Sequence, residues 1–213
     1  MSSISDKKRI LKIVLDLIFR LFALPFYLIF VILKMIIGPR KGFASVTQTV
    51  SLFPGVTGEW IRKGVLQLIT KKSLIDCCIS FGTVFSNPKV SIGDGVYIGT
   101  RCDIGYADIG RDCILGSGVH LLSGQNQHNF EDFDISIRDQ GGTFKKILIG
   151  ENTWIGNGAI ISADVGNGCV IGAGSIVVSR IGDNSVAVGN PAKVIRQRVK
   201  KEENINPAIK VRN

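Results

Sequence analysis

Two hydrophobic rhythms divide the 213-residue chain. Over residues 10–37 apolar side chains are nearly continuous, and the few polar ones recur at helical spacing. At about 100° per residue, Lys12, Asp16, Arg20, Tyr27 and Lys34 share one stripe about 80° wide on an otherwise apolar cylinder. The pattern predicts a helix, with Pro25 removing an internal hydrogen bond and kinking it. The longest uncharged run, residues 21–33, has 13 residues, short of the roughly 20 that a spanning helix needs. A narrow charged stripe suits a helix lying in a membrane interface, its basic residues among anionic headgroups. The alternative is a helix packed on the protein's own body or on a sister subunit. A basic start before an apolar run also suits a signal peptide, but no small-x-small cleavage pattern comes after residue 33.

Residues 38–79 are transitional. Gly38-Pro39 and Pro54-Gly55 are turn signals. Beyond them, residues 59–75 predict a short amphipathic helix (Trp60, Ile61, Val65, Leu68, Ile69) that docks onto the C-terminal body of the protein.

From about residue 80 the rhythm changes to six. An aliphatic–Gly pair recurs at Ile92-Gly93, Ile98-Gly99, Ile104-Gly105, Ile109-Gly110 and Leu115-Gly116, in steps of 6, 6, 5 and 6 residues. It resumes at Ile149-Gly150, Ile155-Gly156, Val165-Gly166 and Ile171-Gly172. One such pair is an ordinary strand end, whereas nine in phase form a repeat. One aliphatic side chain per hexad, beside small residues that tolerate positive φ, predicts short strands that each point a side chain at an interior line. Three hexads close a triangular coil, and coils stack through parallel strands with like side chains laddered inside. The repeat breaks once, over residues 123–146 (SGQNQHNFEDFDISIRDQGGTFKK). Nothing in a stack requires such an excursion, so it reads as functional. It carries His128, the acids Glu131, Asp132, Asp134 and Asp139, Arg138 and the Gly141-Gly142 pair.

An apolar share of 45% and a charged share of 20% exclude a disordered chain. Two histidines cannot build a three-His metal site, and no metal is expected. Five cysteines without a CxxC pair read as free thiols in a reducing compartment. Cys102, Cys113 and Cys169 fall within the repeat as small fillers, and His120 decorates a rung beside the excursion. The net charge of +9 resolves into +6 over residues 1–41, +5 over residues 192–213 and −2 between them. Aromatics do not interleave with the basic runs, which argues against nucleic acid. Basic ends suit an anionic surface or a phosphorylated cofactor.

Residues 80–198 resemble the left-handed parallel β-helix of the hexapeptide-repeat acyltransferases. Residues 152–159 (NTWIGNGA) are similar to that family's VWIG turn, and residues 188–195 (VGNPAKVI) to its C-terminal GxPAkvi signature. The branch resembled is that of the xenobiotic, maltose and galactoside O-acetyltransferases, in particular those of bacterial surface-polysaccharide assembly. The fold class implied is mostly β, a left-handed parallel β-helix with an N-terminal α-helical hydrophobic extension. The left hand comes from the resemblance, since parallel crossovers are ordinarily right-handed. The segments expected are a membrane-associating helix (1–41), a connecting helical stretch (42–79), the acyltransferase β-helix (80–198, with the loop 123–146) and a basic tail (199–213).

In the resembled family the looped-out segment holds the catalytic histidine, a position that His128 matches. Acetyl transfer from a thioester to a hydroxyl needs a base for the attacking oxygen, and imidazole titrates in the right range. Glu131 or Asp132 would fix the imidazole tautomer, and both join Arg138 as candidates for holding the acceptor. Backbone amides at Gly141-Gly142, or in a rung turn, would supply an oxyanion site. The resemblance implies acetyl-CoA lying along the outside of the coil against Trp154, Asn157, Ala173, Val178, Ser179, Lys193 and Arg196. Family members commonly have Thr-Lys where this chain has Val178-Ser179, and Arg180 stands in for the missing lysine. Arg198 joins Lys193 and Arg196 in a basic end suited to phosphates. A homotrimer is implied, with His128 of one subunit facing the cofactor residues of a neighbour.

Together these readings give an acetyl-CoA-dependent O-acetyltransferase. It acts on a sugar hydroxyl of a surface-polysaccharide or lipid-linked glycan precursor, in the cytoplasm, peripheral or monotopic at a bacterial cytoplasmic membrane. N-acetylation of an amino sugar would use the same base, and a non-catalytic β-helix scaffold is the reading outside enzymes. Serine acylation is disfavoured because soluble enzymes of that type do not need residues 10–37.

Overall fold

The computed structural model describes residues 4–199, with side chains from residue 6. The remainder of the expected tail, including Lys200, Lys201, Lys210 and Arg212, lies outside the described residues. Three helices precede the repeat: α1 (Ile4–Ile37), α2 (Pro39–Ser51) and α3 (Gly55–Thr70). The first runs on through Pro25 as one helix. The third begins and ends about four residues before the amphipathic pattern suggests. It stops where Lys71 turns left-handed at φ 58° and donates its amide to the Gln67 carbonyl.

The coil starts with β1 (Cys78–Ile79), β2 (Val84–Phe85) and β3 (Ser91–Ile92), one strand on each of three walls. A second circuit gives β4 (Tyr97–Ile98), β5 (Asp103–Ile104) and β6 (Ala107–Ile109). The third gives β7 (Ile114–Leu115), β8 (His120–Leu121) and, after the excursion, β9 (Ile147–Ile149). Two further circuits come next as β10 (Trp154–Ile155) with β11 (Ile160–Ile161), then β12 (Val170–Ile171) with β13 (Ile176–Val177). On these the third wall is reduced to single bridges through Val165 and Ile181. An antiparallel hairpin, β14 (Ser185–Gly189) and β15 (Ala192–Gln197), closes the stack. This is the parallel, three-walled β-helix that the period of six implies. Its first strand lies two residues ahead of the expected boundary at 80.

Three ladders of side chains fill the interior. Ile79, Ile98, Leu115, Ile155, Ile171 and Ala187 stack on the first wall; Phe85, Ile104, Leu121, Ile161 and Val177 stack on the second. Ile92, Ile109, Ile149, Val165 and Ile181 stack on the third, and all are buried. Each such aliphatic contributes about 1.5–3 kcal/mol relative to exposure, so the one inward position per hexad carries most of the stabilisation. The glycine after it has a separate cause: a Cβ on Gly93, Gly99 or Gly156 would overlap the backbone of the coil above.

The cysteines do more than fill space. Cys77, Cys102, Cys113 and Cys169 occupy equivalent positions, and their thiols donate to the carbonyls of Gly93, Gly116, Gly150 and Gly182 respectively. Thr83 and Thr153 do the same for Gly99 and Gly166. Val96, Val119 and Ala159 fill the equivalent position on other rungs without a side-chain donor, so the rung selects a small or β-branched buried residue there, and burial pushes all four thiols above their ordinary pKa.

The helical module closes the exposed end of the stack, which would otherwise present unpaired strand groups. Thr47 on α2 donates its hydroxyl to the Phe85 carbonyl at 2.8 Å and accepts from the Phe85 amide at 3.2 Å. Arg62 on α3, 2% exposed, donates Nε to Ile79 O at 2.9 Å and Nη1 to Phe53 O at 2.7 Å. Desolvation holds its pKa below the usual guanidinium value, opposed by the nearby Glu59. The helix expected over residues 59–75 thus docks on the first coil through Arg62, a buried cation that the amphipathic pattern did not single out.

The orientation of α1 departs from the sequence-based reading. Its charged stripe faces the protein. Asp16, 4% exposed, lies 2.6 Å from Arg20 and accepts from Gln67 of α3 at 2.7 Å; Lys12 reaches Asp76 at 2.9 Å. The buried Asp16 is thereby paired, as a desolvated charge must be, the same side of the helix buries Ala23 and Phe30, and the rest of the apolar cylinder points outward. Lys12, Asp16 and Arg20 are therefore committed to the fold rather than to headgroups.

Candidate active site

The excursion leaves the coil at the corner between the second and third walls. Its two limbs run against each other. Thr143 N donates to Asn126 O at 2.6 Å, and Asn129 N donates to Gly141 O at 2.9 Å. A Cβ on Gly142 would overlap Gln127 O, so this close pairing beside His128 requires glycine. At the tip, Gln140 clamps the turn: its amide donates to Asp132 O at 2.6 Å and Ile135 O at 2.8 Å. Asp132 Oδ1 accepts from the Asp134 amide at 2.9 Å. Asp132 thus organises the loop's own backbone, and among the described residues no hydrogen bond joins it or Glu131 to His128. Glu131, Arg138 and His128 are exposed, and Arg138 Nε lies 3.7 Å from Asp139.

The base of the excursion stands over the turns of the next two coils. Gln125 donates its side-chain amide to the Val178 carbonyl. Between base and turns lies a cavity of about 340 Å³, lined on one side by Gly124, Gln125, Asn126 and Lys145. The other side is formed by Ser162, Ala163, Val178, Ser179 and Arg180. Two of the predicted cofactor residues, Val178 and Ser179, therefore meet the His128 loop within one chain. Arg180 lines the same cavity. His128 lies two residues beyond the lining residue Asn126 and does not itself line the space.

The other predicted cofactor residues lie elsewhere on the coil. Trp154 points outward from the first wall, in register with Ile114 and Tyr97, and all three are exposed. Asn157 and Ala173 sit at the corner between the first and second walls. There Asn157 Oδ1 accepts from the Ser117 amide at 3.0 Å, and the Asn157 carbonyl accepts from the Gly174 amide. Lys193 and Arg196 are exposed on β15 at the end of the stack, while Arg198 is tied to the Gly168 carbonyl at 2.5 Å. The second wall, with His120 in register between Asp103 and Ile160 on its outer face, separates the two corners. A hexad advances the chain by one wall, so Ser179, six residues after Ala173 and at the same position in its hexad, falls at the next corner.

The structure adds residues that the sequence-based reading did not single out. Gln125, Asn126 and Lys145 line the cavity, and Arg40 at the start of α2 stacks over the Phe144 ring of the excursion at 4.1 Å. The first three lay within the recognised loop, whereas nothing local marks Arg40.

A family profile described as the hexapeptide repeat of succinyl-transferase matches residues 89–123 and 146–179, on either side of the excursion. A probable acetyltransferase of Mycobacterium tuberculosis is 33% identical over 143 residues, covering 66% of this chain and 43% of that protein. Along its β-helix this chain is similar to the hexapeptide-repeat acetyltransferases. A second relative, WcaF of Escherichia coli, carries the provisional name of colanic acid biosynthesis acetyltransferase. It is 31% identical over 119 residues, covering 54% of this chain and 62% of its own. The match spans less than two thirds of either relative. Among solved structures, a galactoside acetyltransferase in complex with coenzyme A shares the fold with a TM-score of 0.58 at 24% identity, over 72% of this chain and 78% of that one. A maltose O-acetyltransferase from Clostridium difficile 630 does so with a TM-score of 0.53 at 22% identity, over 74% and 86%.

Proposed function

We propose that this hexapeptide-repeat protein transfers an acetyl group from acetyl-CoA to a sugar hydroxyl of a surface-polysaccharide or lipid-linked glycan precursor. His128 serves as the general base. The observation that carries the reading is the pinning of the single excursion, through Gln125, onto the Val178 turn beside a basic-edged cavity. Lys145, Lys146 and Arg180 around that cavity suit the phosphates of a CoA thioester, and the small Ser162, Ala163 and Ser179 leave room for a narrow arm. As the acceptor oxygen attacks the thioester carbonyl, His128 takes its proton. A C–O bond forms, the C–S bond breaks, and the proton passes to the departing thiolate.

Trp154, Asn157, Ala173, Lys193 and Arg196 contribute to the same thioester in a homotrimer, where a neighbouring copy brings its first wall and adjoining corner to this subunit's excursion. The exposed apolar column Tyr97, Ile114 and Trp154 supports that arrangement, since such a column is costly in water. Glu131, Asp132 and Arg138 face the acceptor. The protein works at the cytoplasmic face of a bacterial membrane, which it meets through residues 10–37. WcaF, named for colanic acid biosynthesis, supports a glycan as the acceptor.

Calorimetric titration with acetyl-CoA, and then thiol-release assays over a panel of sugars and glycan precursors, test the reading. Binding together with thiol release dependent on both acceptor and His128 is the expected result. The absence of heat on titration would leave only a scaffold.

A further inference from the structure

Along about 33 Å of its length, from Lys12 to Lys34 at about 1.5 Å per residue, α1 is flanked by the protein's own body. Lys12 reaches Asp76, Phe19 stacks on Trp60 with ring centroids 6.0 Å apart, and Phe26 meets Phe53 edge-on at 5.7 Å. Phe30 meets Phe43 at 6.2 Å, and a Cβ on Gly42 would sit 3.0 Å from Lys34 N. That length equals the roughly 30 Å hydrocarbon thickness of a bilayer. A spanning α1 would therefore draw buried Arg62 and Lys63, with Asp76 and the first coil, into hydrocarbon, at prohibitive cost.

The outward half of α1 is apolar throughout, with Leu17, Leu21, Leu28, Ile32 and Met35 exposed. The patch continues beyond the helix. Phe26, against which Phe53 packs, joins it to the exposed turn at Leu52, Phe53 and Val56. Charge marks its two ends: Lys7, Lys8 and Arg9 are exposed before it, and Arg40 and Lys41 after it. A second copy of the chain would bring these like charges together, whereas an anionic lipid surface complements them.

We infer that α1 docks side-on on an anionic bilayer, its axis in the membrane plane. The outward apolar half and the Leu52–Phe53–Val56 turn enter the acyl boundary, and the end clusters meet headgroups. The inference rests on the membrane contact proposed above and specifies its geometry. The stripe of Lys12, Asp16 and Arg20 is the clasp that turns the apolar side outward, the reverse of a surface helix whose polar face meets water.

The full-length protein is tested in two steps. Flotation with phosphatidylcholine vesicles containing phosphatidylglycerol reports contact. Leu21→Asp/Leu28→Asp and Leu52→Asp/Val56→Asp, which alter only exposed side chains, should each weaken partition about tenfold or more, with circular dichroism and acetyl-CoA binding unchanged. Depth then comes from an environment-sensitive fluorophore on cysteines introduced singly at Leu17, Leu21, Leu28 and Ile32 in a Cys78→Ser background, quenched by brominated lipids. Equal, shallow depth at all four sites is expected. No flotation would overturn both the membrane contact and its geometry, and depth graded from Leu17 to Ile32 would overturn the geometry alone. Loss of self-association by Leu21→Asp/Leu28→Asp in sedimentation, with flotation intact, would assign the face to a second copy instead.

Discussion

Gln67 on α3 donates its side-chain amide to Asp16 on α1 at 2.7 Å, across 51 residues of sequence. The same Gln67 accepts through Oε1 from Arg20 at 2.9 Å and from the Leu74 amide at 3.0 Å. One neutral side chain therefore joins a carboxylate, a guanidinium and a backbone group at once. Gln67→Leu keeps the bulk and removes all three contacts. It should cost about 1–3 kcal/mol, the range for stranding a buried polar partner, measured as a shift of the urea midpoint at unchanged m-value. A shift under about 0.5 kcal/mol would show that α1 is not held by this cluster.

His128→Ala should lower turnover about 10²–10⁴-fold and leave acetyl-CoA affinity unchanged by calorimetry. His120→Ala, on the outer face of the second wall, serves as the control and should stay within about threefold of the parent. A reversal of the two effects would move the base from the excursion to the rung.

The aliphatic–Gly repeat makes a steric prediction. A Cβ on Gly150 would overlap Asn167 N, which is backbone and cannot move alone, whereas Gly174 at φ +66° has open space around it. Gly150→Ala should therefore destabilise by about 1–3 kcal/mol or more. Gly174→Asn, a residue that tolerates the left-handed region, should cost under about 1 kcal/mol. Thermal unfolding of the two variants checks the contrast.

All five thiols have pKa values raised by burial. In the unfolded chain they ionise near pH 8.5, so above that pH the unfolded state binds fewer protons than the native one, and stability falls. Their contribution is complete below about pH 8 and is lost as pH rises through the native values. Melting temperatures recorded from pH 7 to 10 should be flat and then decline, with a smaller decline in a Cys102→Ser/Cys113→Ser variant. A thiol reagent should label the half-buried Cys78 first, and the four buried cysteines only on unfolding.

The coil was legible in the sequence because its code is local. Ile98, Leu115 and Ile155 each point inward for the same reason, and none depends on a distant partner to choose its side. The excursion was legible as the place where that code stops. The proposed role of His128 comes from its residue type and from the family resemblance. The cavity beside it was only half anticipated: Val178 and Ser179 were anticipated, but Gln125 and Lys145 become lining residues only when the excursion folds back over later coils. Arg40 stacks on Phe144 across more than 100 residues of sequence, a pairing with no periodic signature.

The N-terminal helix divides the two sources most sharply. Its existence, its single charged stripe and its apolar remainder come from the order of residues 10–37 alone. Which face turns toward the body does not, because a helical wheel shows that two faces differ and is silent on what covers either. That choice belongs to Gln67 and Asp76, which lie far along the chain and offer the charged stripe partners that water or headgroups would otherwise supply. Local periodicity determined the elements and the inward residue of each rung. Tertiary structure decided the outward faces, since a side chain's surroundings are set by whichever distant segment packs against it.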